Sequence, residues 1–261
     1  MKKACVLVFA GLDPSGGAGI QADIQAISDA GAHPLPIITA LTVQDNQHVH
    51  AVHPVDASIL VEQVNALIAH GTTIDAIKIG IVGSKENAQA IADVIIQLRE
   101  SHPSLPVVLD PVLASGHGDV LTRGDAVQAI APVRCLATII VPNLPEAHAL
   151  CDGEHTLPMQ AQRLLHDSPH VMIKGGHGDG DEIINAWFHK NHQREWRWPR
   201  LSSEYHGSGC TLASAIAAQL AQGIAMEAAL EAAQQYTQHS LAHAYVIAPG
   251  QRIPHRLKES L

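Results

Sequence analysis

The chain has 261 residues, 46% of them hydrophobic, so it can bury a large core, and no run nears the ~18 apolar residues of a membrane span. A formal charge of −9 with no basic block argues against nucleic acid as the main partner. The four cysteines (Cys5, Cys135, Cys151 and Cys210) are scattered without a Cys-x-x-Cys pair, which suits a reducing cytoplasm and gives no zinc or disulfide framework.

Lys2 and Lys3 ahead of the apolar residues 4–10 imitate a secretory leader. The stretch is short and has no cleavage site, so it reads as a first buried strand. Residues 11–19 (GLDPSGGAG) form a glycine-rich turn, and Ile20, Ile24 and Ile27 share one face of a following helix. The P-loop pattern fails because Gly16 is followed by Gly17-Ala18 rather than Gly-Lys-Ser/Thr. The dinucleotide pattern fails because the second strand ends in Ile38-Thr39-Ala40-Leu41-Thr42, without a ribose-binding acid. The loop is therefore expected to close over some other small ligand.

Residues 34–40 read as a second strand, interrupted by the polar 43–48 and followed by an alternating edge strand over 49–55; the pair would make a small flap. Asp56 caps a helix carrying Leu60, Val64, Leu67 and Ile68, and Ser84 caps one carrying Ile91, Val94, Ile95 and Leu98. Between them, residues 76–81 form a buried strand.

The strand over 106–110 ends on Asp110, where open α/β sheets gather ligands, so Asp110 suits metal or phosphate work; a turn-forming Asp-Pro is the plain alternative. Residues 115–119 read as a mobile loop. After a strand over 137–141, Asn143 and Glu146 are spaced either as a helix capping box or as an acid aimed at magnesium through water. A strand over 170–174 and a hairpin of 182–188 with 195–198 follow. Among 18 histidines, His48, His50 and His53, and the looser pair His189 and His192, come nearest to metal spacing. They lack a helix and a partner carboxylate, and read as polar loop residues.

His206-Gly207-Ser208-Gly209-Cys210-Thr211 runs into an alanine-rich helix over about 210–222, and a second helix spans about 226–246. Unpaired amides and the dipole at a helix start favour an anion, most often phosphate, and the same field favours the Cys210 thiolate. The plain alternative is a glycine-containing N-cap with a buried cysteine. No repeat or linker interrupts the chain, and one domain over 1–261 is the economical reading.

Taken in order, residues 10–23, 38–44, 76–80, 108–112, 141–147, 174–177 and 206–211 resemble the ribokinase superfamily, and within it the hydroxymethylpyrimidine/phosphomethylpyrimidine kinases of thiamine biosynthesis. The resemblance implies a three-layer α/β/α sandwich with a central, mostly parallel sheet. It implies transfer of the ATP γ-phosphoryl group to a pyrimidine hydroxymethyl, then phosphorylation of the monophosphate to the diphosphate. By similarity Gly11, Asp23, Gln44 and Val112 line the pyrimidine site, and Asp110 and Glu146 serve Mg²⁺ and the phosphates. Lys174, Asn143 and Thr211 fall on the nucleotide side, and Gly207, Ser208 and Gly209 form the anion hole. Cys210 occupies the position where sugar-kinase relatives carry an aspartate base. The resemblance also implies a cytoplasmic homodimer.

The chain departs from the family pattern at Leu12, at Ile81, in a shortened spacer over 113–119, and at Ser202-Ser203-Glu204-Tyr205. These departures bear on the exact substrate and on the second phosphorylation. The alternatives are a pyridoxal kinase of B6 salvage, and a catalytically silent ribokinase-like protein that binds a metabolite.

Overall fold

Period-two alternation along the apolar strands sorts the helices into two layers. The computed structural model describes residues 2–114, 118–119, 121, 124–190 and 192–257. In β1 (Cys5–Leu12), Val6, Val8 and Ala10 point to one side of the sheet and Leu7 and Phe9 to the other. After α1 (Gly19–Asp29), β2 (His33–Gln44) lies parallel to β1 and turns into β3 (Val49–Pro54), antiparallel at the sheet edge. The chain then crosses to the other side of β1 through α2 (Ala57–Ala69), β4 (Ala76–Ile79), α3 (Lys85–Ser101) and β5 (Val107–Leu109).

Two short helices, α4 (Ala126–Ala129) and α5 (Ala131–Arg134), lead to β6 (Ile139–Ile140), α6 (Leu144–Leu150), α7 (Leu157–Leu164) and β7 (His170–Ile173). The antiparallel β8 (Glu182–His189) and β9 (His192–Pro199) complete a sheet of order β3-β2-β1-β4-β5-β6-β7-β8-β9, and α8 (Ser208–Ala221) and α9 (Met226–Ala242) follow. The Leu7/Phe9 face receives Leu60 and Val64 of α2, Ile91 and Ile95 of α3, and Leu150 and Leu164 of α6 and α7. The opposite face receives Ile20 and Ile27 of α1, Leu212 and Ile216 of α8 and Leu230 of α9. Each such side chain contributes about 1.5–3 kcal/mol by leaving water. The result is the expected α/β/α sandwich, parallel from β2 through β7.

Local differences from the sequence reading have identifiable causes. β2 runs unbroken to Gln44, because β3 supplies antiparallel partners from Ala40↔Pro54 to Gln44↔Val49 and holds the polar stretch in the ladder. The last helix stops at Ala242, and Tyr245 pairs instead with Ile253. Helix α7 was not anticipated; it is short and carries a proline in its first turn. Of the loop expected over 115–119, residues 115–117 lie outside the described residues. Because β1 is followed by β2 on one side and by β4 on the other, a crevice opens at the carboxyl ends of β1 and β4.

Candidate active site

A cavity of about 710 Å³ occupies that crevice. Gly11, Gln44 and Val112 line it, as do Asp110, Asn143, Glu146 and Lys174, and so does the run Gly207, Ser208, Gly209 and Cys210. Asp23 and Thr211 alone among the anticipated site residues do not.

The anion-binding end is built by backbone. Gly207 caps α8 with φ +78°, and a Cβ there would lie 2.1 Å from the Gly17 carbonyl oxygen, so both conformation and contact demand glycine. The Thr211 amide, donating to Gly207 O at 3.0 Å, makes the first helical bond. The amides of Ser208, Gly209 and Cys210 therefore have no partner within the helix, and these residues line the cavity.

The glycine-rich loop is clasped to this helix start. Asp13 accepts from the Ala18 amide (2.8 Å), Ser15 Oγ (2.9 Å) and His206 Nε2 (2.8 Å). Burial works to raise the Asp13 pKa, but hydrogen bonds from His206, Gln44 and Ser15 outweigh it and hold the carboxyl at about 2. A Cβ on Gly17 would meet His206 Cδ2 at 2.3 Å, so the two loops touch without room for a side chain.

Opposite the helix start stands a charge cluster. Lys174 Nζ donates to Asp110 Oδ1 at 2.8 Å, and a Cβ on Gly209 would sit 3.2 Å from that Nζ. Asn143 and Glu146 form a full capping box, each backbone amide donating to the other's side chain at 2.8 Å. Glu146, a member of the cap, also lines the cavity. Burial raises the Glu146 carboxyl to about 7; Lys174 pulls it down and Asp110 pushes it up. Burial opposes charge on Lys174 as well, but Asp110 and Glu146 outweigh it and raise the lysine's pKa.

Some anticipated site residues are enclosed. Asp23 is fully buried: it takes the Lys78 ammonium at 2.9 Å and the Ser214 hydroxyl at 2.6 Å. Lys78, one layer nearer, lines the cavity in its place. Thr211 is equally enclosed, donating its hydroxyl to Gly207 O at 2.8 Å and accepting from Arg256 Nε at 2.8 Å. The field at the helix start does not make Cys210 a thiolate. Burial dominates and, with Asp23 and Asp110 nearby, pushes the thiol up to about 11 despite the opposing pull of Lys78.

Sequence reasoning assigned no role to Lys78, Asp13, His206 or Arg256. The first had a signal, a lysine inside the apolar run Ala76–Ile79. Asp13-Pro14-Ser15 carries an Asx-turn pattern. Arg256 had none.

Comparison with known proteins gives a consistent picture. The family model described as phosphomethylpyrimidine kinase matches residues 13–255. The hydroxymethylpyrimidine/phosphomethylpyrimidine kinase of Rhizobium meliloti is 37% identical over 223 residues, covering 82% of each chain. The thiamine biosynthesis multifunctional protein ThiED of Corynebacterium efficiens is also 37% identical over 82% of this chain, which spans 29% of that longer protein. The structure of the pyridoxal kinase of Staphylococcus aureus in complex with ADP superposes with a TM-score of 0.85 at 25% identity, covering 98% of this chain and 94% of that one. Its fold is the ribokinase-like fold of this chain.

Proposed function

The chain belongs to the phosphomethylpyrimidine kinase family, and from that premise we propose that it transfers the ATP γ-phosphoryl group to 4-amino-5-hydroxymethyl-2-methylpyrimidine, and then phosphorylates the monophosphate to the diphosphate, in thiamine biosynthesis. One observation carries the reading. Three amides at the start of α8 share a single cavity with Lys174, Asp110 and Glu146 on one side and Gly11, Gln44 and Val112 on another.

Phosphoryl transfer asks mainly for positioning and for stabilisation of charge along the line of attack. Ser208, Gly209 and Cys210 offer amides to the transferring group. Lys174 and Asn143 serve the nucleotide side, and Gln44, whose amide matches a ring nitrogen and amino group, serves the pyrimidine. Asp110 and Glu146 are the residues that would hold Mg²⁺. Two buried carboxylates facing one lysine leave a negative balance, and burial strains the Glu146 carboxylate, which fits a divalent cation taken by one or two acids and phosphate oxygens. Bound there, Mg²⁺ would offset charge on the ATP phosphates.

Cys210 stands on the acceptor side as a neutral thiol. Only the thiolate could accept the substrate hydroxyl proton, a role worth about 10²–10⁴-fold in kcat, so Cys210→Ala separates that role from packing, for which a change under about tenfold is expected. The single sheet supports one kinase domain over 1–261. Exposed Leu41 and Val43 beside the edge strand β3 support a homodimer. No helix among the described residues is long and apolar enough to cross a membrane, in keeping with a cytoplasmic enzyme.

A second reading, phosphorylation of the pyridoxal hydroxymethyl group, rests on the structural likeness to a pyridoxal kinase. Steady-state kcat/KM with ATP and each of hydroxymethylpyrimidine, its monophosphate and pyridoxal decides. The proposal expects both pyrimidines to exceed pyridoxal; pyridoxal alone turning over would replace it.

A further inference from the structure

Among the described residues Arg256 is a buried cation with no hydrogen-bonded counter-charge, and the acid that acts on it, Asp23, is already taken by Lys78. It is 2% exposed, and its described partners are all uncharged: Thr211 Oγ1 at 2.8 Å, Gln25 Oε1 at 3.3 Å, the His206 carbonyl at 3.4 Å and the Gly17 carbonyl. Burying a charge in this way is costly. The location adds to the cost, because a Cβ on Gly207 would meet Arg256 Nη2 at 2.9 Å, putting the guanidinium directly behind the first turn of α8. The helix dipole already makes that point positive. The position is nonetheless built. Tyr236 Oη donates to the Arg256 carbonyl at 2.6 Å, and the His255 amide donates to Ser240 O at 2.9 Å. The neighbouring buried lysines differ: Lys78 is paired with Asp23 and Lys174 with Asp110.

We propose that Arg256 is a positioning residue whose missing counter-charge is the phosphoryl group bound on the cavity side of the α8 first turn. Its fork holds Gly17, His206 and Thr211 together and so shapes the amide cradle from behind. Its charge adds to the dipole across the buried Thr211, where electrostatic interactions are stronger than in water. The ligand-free protein carries an unbalanced positive charge, and binding of the anion relieves it. The identity of the anion rests on the kinase reading, whereas anion binding is measured without turnover.

The test is calorimetric titration of the full chain with inorganic phosphate and with ADP, alongside thermal melts with and without each. In Arg256→Met, an apolar residue of similar length removes the charge. Phosphate binding should weaken about tenfold or more, and most of the phosphate-induced rise in Tm should vanish. Gln25→Glu leaves Arg256 in place and offers it a carboxylate in the chain. It should raise the ligand-free Tm and weaken phosphate in the same direction, an outcome no purely structural role of the arginine would produce. Arg256→Lys keeps the charge but loses the fork, so phosphate affinity should stay within about threefold of wild type while kcat falls. Phosphate affinity within about twofold of wild type in Arg256→Met overturns the proposal. Should that variant not fold, unchanged affinity in Gln25→Glu overturns it. Wild type that binds phosphate and ADP but phosphorylates no acceptor would remove the kinase reading and leave this one standing.

Discussion

Lys78 and Arg256 approach the start of α8 from two sides, both enclosed, and among the described residues only Lys78 is ion-paired. Lys78 meets Asp23 at 2.9 Å, and Ser214, one helical turn beyond Cys210, holds Asp23 from behind at 2.6 Å. Burial lowers the tendency of Lys78 to stay charged, but Asp23, with Cys210 and Asp110, outweighs it and holds the ammonium above its ordinary pKa. That arrangement is complete without ligand. Arg256 has hydrogen bonds and, among the described residues, no ion pair, and it stands behind the first turn of α8 rather than in the cavity. The difference separates a charge that builds the cavity from one that responds to what fills it.

Removing the counter-charge from the first cation breaks the comparison most severely. Asp23→Asn leaves Lys78 buried and unpaired, and urea unfolding should show a loss of about 3–5 kcal/mol; Asp23→Asn with Lys78→Met should recover much of it. A loss under about 1 kcal/mol would mean that the pair does not hold the cavity floor. Gly207→Ala attacks the junction between the two cations. Left-handed backbone strain of about 1–2 kcal/mol and the 2.1 Å contact with Gly17 O should shift the amide cradle, lowering kcat/KM about 10²-fold.

The smallest effect sharpens the comparison with a third charge at the same place, Asp13, which is balanced by hydrogen bonds. Its folded pKa of about 2 lies below the ordinary aspartate value of 3.8. The stability it contributes is therefore present above pH 3.8, and is lost as pH falls from there through about 2. Unfolding free energies from urea titrations across that window should fall by on the order of 2 kcal/mol more in wild type than in Asp13→Asn. Parallel acid limbs would show that the clasp adds nothing.

How much of this was legible in the sequence depends on how local its cause is. β1 and β5 are continuous apolar runs and β4 is one broken only by Lys78, and their carboxyl ends could be located because glycine or aspartate follows each. The α8 start was legible because glycine spacing and an alanine-rich run are local facts. The role of Asp23 was not: its partners Lys78 and Ser214 lie 55 and 191 positions away, and only the packing of β4 and α8 on α1 brings them to one point. The choice between the two readings of Cys210 was open for a related reason, since the local field is visible in sequence and the burial that opposes it is not. Arg256 contacts Gly17 across 239 positions, and nothing near it in the chain announces that it will be enclosed.

The most direct test of the account is a ³¹P NMR time course of the protein with ATP, Mg²⁺ and hydroxymethylpyrimidine. The account predicts the pyrimidine monophosphate, followed by the diphosphate as the monophosphate is consumed. ADP-binding, folded protein that yields no phosphorylated pyrimidine would contradict it.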